Sequence, residues 1–454
     1  MVSFNLASLF QKKTAEPQPA PPAMAPDLKS YELLIGDRTY QILNDARDHL
    51  LGHSLDSGKT WEPWQFLLYS RLIGPTATCL DIGGNVGVNA LAMAAQADKG
   101  RVYSFEPIPF VHDLLARNVT LNGFTNIVPV NCGCSNANTM ETIVYDRDKL
   151  GCSHLIQAGG TAVAHDPDAS VSSVPVFLRR LDDWIAETAP GPIDFVKVDV
   201  EGFELEVLEG APSLFTAGKA PPSIFEFSVL PQRGIFQFSA DMEPRRTSFP
   251  DHAKDVTFFL RLQSLFRHLF LIGRDGRLHP ISSYADLRIK LLNGYPNDDL
   301  LCLDQVPDGI TDLIDTRFPF QPQVPPRAFA TAAGLAVALN THEDGCAGEQ
   351  MHIDGTRAGL ALSLQRPATL TLTFAPVYTK HAPTPVGPVL VANGNDVRFV
   401  TVADTEAEVS LTLEPGEHHI FLESEFSFKA ADYFGNAADT RTVGFRYDWR
   451  LSAR

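Results

Sequence analysis

Between about residues 30 and 305, short apolar runs alternate with stretches of helical period. Residues 31–35 and 39–42 flank Gly36-Asp37 and predict a short hairpin. Residues 61–69 predict a helix with Pro63 in its first turn. Strands are predicted at 78–82, 102–105, 127–130, 195–198 and 223–227, with closing strands at 270–272 and 300–303. Helices are predicted at 89–97, 110–122, 181–188, around 205–208, and at 256–269. Such alternation means a parallel sheet covered on both faces. Ligands of these sheets bind beyond the carboxyl ends of the strands, where strand order reverses, so the residues just after each strand carry the interest.

Two proline-rich stretches interrupt the pattern. Residues 1–28 read as a tail, with the tether QKKTAEPQPAPPAMAPDL at 11–28, and its first ten residues are either loose or a transient docking segment. Residues 311–327 read as a linker containing RFPFQPQVPPR. They bound a sheet domain at 29–310 and an all-β sandwich at 328–454, whose short strands are punctuated by Asn393-Gly394 and by Glu414-Pro415-Gly416-Glu417.

Composition narrows the classes. At 44% hydrophobic and 20% charged, the 454-residue chain is globular and long enough for two or three cores. Its 37 basic and 54 acidic residues leave a net charge of −17, which argues against nucleic acid as the main partner. No run approaches the roughly 18 apolar residues of a membrane helix, so no integral membrane segment is expected. The six cysteines are scattered without a C-x-x-C pair, and a reducing cytoplasm suits them. Cys132-x-Cys134 with His154 matches no common metal site, and although so many acids leave a metal possible, no ligand spacing demands one and none is assigned.

The chemistry concentrates at three strand ends. After the first core strand comes Asp81-Ile82-Gly83-Gly84-Asn85-Val86-Gly87, where glycines let backbone N–H groups approach a ligand. Asn85 and Val88 stand where a dinucleotide fingerprint needs glycines, and the leading Asp81 suits an ammonium or sulfonium better than a pyrophosphate. After the second strand, Glu106 lies 23 positions past Gly83 (106 − 83), the spacing of a carboxylate that accepts ribose hydroxyls. Alone, such an acid reads as a surface residue. After the fourth, Lys197, Asp199 and Glu201 alternate with valines, so both acids emerge together before Gly202. Paired carboxylates there hold a ligand, a cation or a proton. Glu204 reads as a first-turn acid favoured by the helix dipole.

Together these stretches resemble the FkbM family of S-adenosylmethionine-dependent methyltransferases. The resemblance rests on the Asp81–Gly87 turn, Phe105-Glu106-Pro107, Asn122-Gly123, Leu181-Asp182-Asp183, K-V-D-V-E-G at 197–202, and Glu204-Leu205-Glu206-Val207-Leu208-Glu209-Gly210, over about residues 55–305. Gly84 departs from the alanine more usual in the family, a change expected to be harmless. A longer stretch at 146–176 departs too and is expected to be a substrate lid or loop. The resemblance implies a doubly wound, Rossmann-like class I methyltransferase sheet that binds S-adenosylmethionine. Asp81, Gly83, Asn85 and Gly87 would lie under its methionine part, Glu106 would hold the ribose, and residues near Asn131–Gly133 would flank the adenine. Asp199 and Glu201 would sit beside the sulfonium and the acceptor, with Glu201 the first candidate base, His154 the second and Glu226 the third. By itself His154 reads as a solvated loop residue. Glu62 either lines the cleft, as a similar glutamate does in relatives, or is a plain helix-start acid.

The C-terminal region resembles small β-sandwiches appended to bacterial glycan-modifying enzymes, on an Asp439-x-Arg441 followed by Gly444. Tyr433, Phe434 and Trp449 are sugar-stacking candidates or core aromatics. The expected activity is O-methylation of a hydroxyl, of a sugar in a bacterial glycan or of another small-molecule acceptor. The competing readings are a nicotinamide-dependent dehydrogenase and an inactive, carbohydrate-binding relative. The oligomeric state is not legible in the sequence.

Overall fold

The computed structural model describes residues 28–56, 61–155, 171–227, 249–292, 299–316 and most of 327–453, apart from 332, 340, 344–349, 355–356, 376, 379–382, 385–386, 403–406, 425–427 and 430–441. Nearly all of the N-terminal tail, the stretch 317–326, and Tyr433, Phe434, Asp439 and Arg441 lie outside the described residues.

The hairpin is longer than its pattern suggests: β1 (Leu28–Ile35) pairs along its length with β2 (Arg38–Asp45) across Gly36-Asp37, and α1 (His49–Asp56) follows. Next come α2 (Pro63–Leu72), β3 (Thr78–Ile82), α3 (Val88–Gln96), β4 (Arg101–Phe105), α4 (Pro109–Leu121) and β5 (Ile127–Val130). A small sheet is built from β6 (Gly133–Ser135), β7 (Thr139–Asp146), β8 (His154–Leu155) and β9 (Val171–Arg180). The chain then returns through α5 (Leu181–Thr188), β10 (Phe195–Val198), α6 (Glu204–Glu209), β11 (Ser223–Glu226), α7 (Phe249–Leu265), β12 (His268–Ile272), β13 (Leu278–Pro280), α8 (Tyr284–Leu292) and β14 (Asp299–Leu303).

The main sheet has the order β13-β12-β14-β11-β10-β3-β4-β5. Strands β5, β4, β3, β10 and β11 run parallel, and β14 is antiparallel to both β11 and β12. From β3 the chain steps outward to β4 and β5, then returns to the other side of β3 for β10. That reversal opens a crevice beyond the carboxyl ends of β3 and β10, as the doubly wound reading requires. Side chains alternate between the two faces. Cys79 and Phe195 join the layer of α2, α3 and α4, whereas Leu80, Ile82, Val196 and Val198 join that of α5, α6 and α7. Asp81 and Lys197, paired in register, therefore face the α2–α3 layer.

The stretch at 146–176 is partly strand rather than loop. From Val171 onward it belongs to β9, which pairs with β7 from Thr139↔Leu178 to Asp146↔Val171; residues 156–170 lie outside the described residues. Pro175 obscures the strand in the sequence. Among the described residues, β6 pairs only with Leu178–Arg180, so no described strand lies on the outer edge at Pro175, where a proline is tolerated.

The C-terminal region is an antiparallel sandwich of two larger sheets, as expected. Leu360, Leu370, Leu372, Phe374, Ile420 and Leu422 form its core. Trp449, 2% exposed, sits in that core, which removes it as a sugar-stacking surface.

Helix α8, which the pattern did not predict, fastens the sandwich to the sheet domain. Asn395 Oδ1 accepts the Tyr284 N–H at 2.9 Å and the Gly394 carbonyl accepts that of Ala285 at 3.0 Å, so a hairpin turn of the sandwich caps the helix. One turn on, Arg288 pairs with Glu423, both side chains 1% exposed, and its guanidinium lies 4.5 Å from the Phe421 ring centroid. Leu390, Ala392 and Phe421 share a core cluster with Tyr284 and Leu287. Removing one partner of a buried ion pair leaves the other charge uncompensated. Glu423→Ala should therefore cost on the order of 3–5 kcal/mol in urea unfolding. Combining it with Arg288→Met should recover more than half of that, and a single-variant cost below about 1 kcal/mol would contradict the buried pairing.

Candidate active site

The turn after β3 is shaped by close backbone approach. Gly83, Asn85 and Gly87 have φ of +91°, +46° and +96°, and the N–H groups of Gly83 and Gly84 both donate to the Phe105 carbonyl. A Cβ at Gly83 would stand 1.8 Å from the Asp199 carbonyl oxygen, so the loops leaving β3 and β10 touch at the switch point. Gly84 is not freely exchangeable with alanine. A Cβ there would lie 2.1 Å from Ser104 Oγ, and that hydroxyl donates to Asp81 Oδ2 at 2.7 Å. The missing methyl group makes room for the serine that fixes Asp81.

Asp81 is wholly buried, and its Oδ1 has no hydrogen-bond partner among the described residues. Burial raises its pKa, against Lys197 and the Ser104 hydrogen bond. Glu106 is buried beside the turn, where it accepts the Asn85 N–H at 3.0 Å and the Ile108 N–H at 2.8 Å. Burial pushes its pKa up to about 7, although both N–H bonds favour the charged form. Asn131 donates to the carbonyls of Glu106 and Pro107 at 2.9 and 3.2 Å, so its amide braces the backbone that carries Glu106. Beside these groups lies an open cleft lined by Gly83, Pro107, Gly133, Leu178, Val200 and Phe203 among others.

Across the crevice, Lys197 is fully buried and donates to Asp199 Oδ2 at 2.7 Å. Burial opposes its charge, but Asp199, then Glu62 and Asp81, outweigh that and keep it protonated. Glu62, in a left-handed conformation at the cap of α2, thus belongs to this charge cluster. Asp299, at the start of β14 and paired in register with Glu226, is pushed up to about 6 by burial and by Asp199, against Lys197 and Gln65. Gln65 donates to Asp299 Oδ2 at 2.8 Å, and the Tyr69 hydroxyl lies 2.7 Å from Gln65 Oε1. Asp199, Glu201 and Glu226 each bring a carboxylate oxygen within 4.8 Å of the others, a spacing fit for a shared proton or a cation. The sequence offered no such ligand set because Glu226 comes from a separate strand.

Glu204 stands in the first turn of α6, as expected, and does more there. Rather than simply facing the helix dipole, its Oε1 accepts the N–H groups of Val200 at 3.1 Å and Gly202 at 2.9 Å, stapling the turn that presents Glu201. His154 lies in β8 opposite Val144, and its side chain is outside the described residues. Asp299, Gln65, Ser104 and Lys254 were missed. None lies within a recognisable motif, and only the tertiary fold brings them to the site.

Residues 81–254 match the methyltransferase FkbM domain. The methyltransferase sdnD of Sordaria araneosa is 31% identical over 152 residues, 29% of this chain and 59% of that protein. The 2-O-methyltransferase NoeI of Sinorhizobium fredii is 26% identical over 165 residues, 33% of this chain and 63% of that protein. The chain thus spans about three-fifths of the length of these curated relatives. A solved methyltransferase FkbM from Methylobacillus flagellatus KT is 19% identical, with a TM-score of 0.24, over 35% of this chain and 36% of that one.

The Gly84–Ser104 contact is open to test. Gly84→Ala should cost roughly 1–3 kcal/mol in chemical denaturation, the usual cost of overpacking. Adding Ser104→Ala should restore most of it, and purely additive effects would show that the two positions do not meet.

Proposed function

From a chain whose residues 81–254 carry the methyltransferase FkbM domain, we propose methyl transfer from S-adenosylmethionine to a hydroxyl oxygen, in the cytoplasm and on a sugar of a bacterial glycan. The observation that carries this reading is Asp81, a wholly buried acid at the switch point with one oxygen lacking a hydrogen-bond partner among the described residues. Such a group favours a cationic ligand, and S-adenosylmethionine brings an ammonium and a sulfonium. NoeI, a 2-O-methyltransferase by name, supports oxygen as the acceptor atom. The sugar class rests on the resemblance of the sandwich to those of glycan-modifying enzymes.

When bound, the cofactor supplies an electrophilic methyl group on a good leaving group. The chain's own residues bind, orient and take up a proton. The turn at Asp81, Gly83, Asn85 and Gly87 would hold the methionine part, Glu106 would hold the ribose hydroxyls, and Asn131, which braces the Glu106 backbone, would stand near the adenine. Glu201 is the general base for the acceptor hydroxyl, with His154 second and Glu226 third, while Asp199, held by Lys197, fixes the electrostatic setting. Most of the acceleration is then alignment plus removal of one proton.

Calorimetry tests the cofactor. The wild type should bind S-adenosylmethionine, and Glu106→Ala should lose about tenfold or more, the worth of a hydrogen bond to a charged group. Absence of binding by the wild type refutes the assignment. Glu106 is neutral below about 7 and charged above it. A ligand that needs the charged form therefore loses affinity as pH falls, by up to about tenfold per unit. Glu106→Gln should flatten that dependence. In tritiated-methyl transfer to fractionated lysate, Glu201→Gln should abolish labelling at unchanged cofactor affinity; undiminished labelling excludes Glu201 as the base.

A further inference from the structure

The turn between β10 and α6 is conformationally demanding. Glu201 and Gly202 both occupy the left-handed region, with φ of +54° and +94°. For a non-glycine residue this conformation is strained and persists only where surroundings impose it. From inside, Glu204 holds the N–H groups of Val200 and Gly202. The other hold comes from a distant element. Lys254 of α7 donates from Nζ to the Gly202 carbonyl at 2.9 Å and to Glu206 Oε1 at 2.6 Å. The same ammonium stands 4.8 Å from the centroid of the Phe203 ring. Every one of these contacts falls within residues 202–206, and the side chain is one-third exposed (33%), so it serves this turn rather than a core. Val200 and Phe203 in turn line the cleft.

We propose that Lys254 is a positioning residue for the cofactor cleft, clamping the turn 199–203 so that Phe203 forms the cleft wall and Glu201 faces the acceptor. The proposal rests on the cofactor reading above, and it assigns Lys254 no contact with cofactor or substrate. A clamp and a simple charge effect make different predictions. Loss of a nearby cation would favour the sulfonium of S-adenosylmethionine over the neutral thioether of S-adenosylhomocysteine, whereas loss of a clamp weakens both alike.

The test uses the full chain with Lys254→Met and Lys254→Arg. By calorimetry, Lys254→Met should weaken S-adenosylmethionine and S-adenosylhomocysteine equally, by about tenfold, the worth of a charged hydrogen bond. Lys254→Arg should restore both to within about threefold. Affinities unchanged in Lys254→Met, a change confined to S-adenosylmethionine, or no rescue by arginine overturns the proposal. Amide hydrogen exchange of the ligand-free chain separates its failure from that of the cofactor reading. At Val200 and Gly202, exchange should quicken about tenfold in Lys254→Met and recover in Lys254→Arg. Unchanged exchange overturns the clamp even if the cofactor binds, and quickened exchange sustains it even if the wild type binds neither ligand.

Discussion

A charged ammonium with no access to water organises the centre of this molecule. Desolvating Lys197 costs several kcal/mol unless opposite charges surround it. The carboxylates that do so come from separate elements: Glu62 at the cap of α2, Asp81 on β3 and Asp199 after β10. Bringing them together ties the helix layer to the two strands that border the crevice. Asp299 joins through Asp199 and is steadied by Gln65 from α2. The carboxylates around Lys197 outnumber it, and burial raises the pKa of Asp81 and Asp299 among them.

Two loops carry this arrangement, and each is held by groups that do no chemistry themselves. Ser104 fixes one oxygen of Asp81, the other having no hydrogen-bond partner among the described residues, with Gly84 giving the serine room. Glu204 gathers the amides of the second loop. The near-contact of Gly83 with the Asp199 carbonyl then fixes the spacing between the loops, because neither backbone can advance further.

What was legible in the sequence follows from how locally each feature is encoded. The turn at Asp81–Gly87, Glu106 and the Asp199–Glu201 pair could be read because contiguous residues must satisfy one backbone geometry at a strand end. The alternation of elements likewise disclosed the sheet and the sandwich. Asp299 and Gln65 could not be read, being 234 positions apart and joined only by the fold. Glu204 looked like any acid opening a helix, since its inward direction depends on the left-handed backbone at 201 and 202. Helix α8 was invisible because Arg288 reads as a surface residue and is instead buried against Glu423. Strand β9 was hidden by Pro175, which sits where no described strand pairs with the outer edge of β9.

The capping of α8 by Gly394 and Asn395 has a consequence for substitutions in that helix. The recognised domain spans 81–254, whereas the helix and its caps lie at 284–292 and 394–395. The seam between the two bodies therefore lies outside the residues that match that domain. Because Tyr284, Ala285 and Arg288 meet Asn395, Gly394 and Glu423, a substitution in α8 is felt directly by the sandwich.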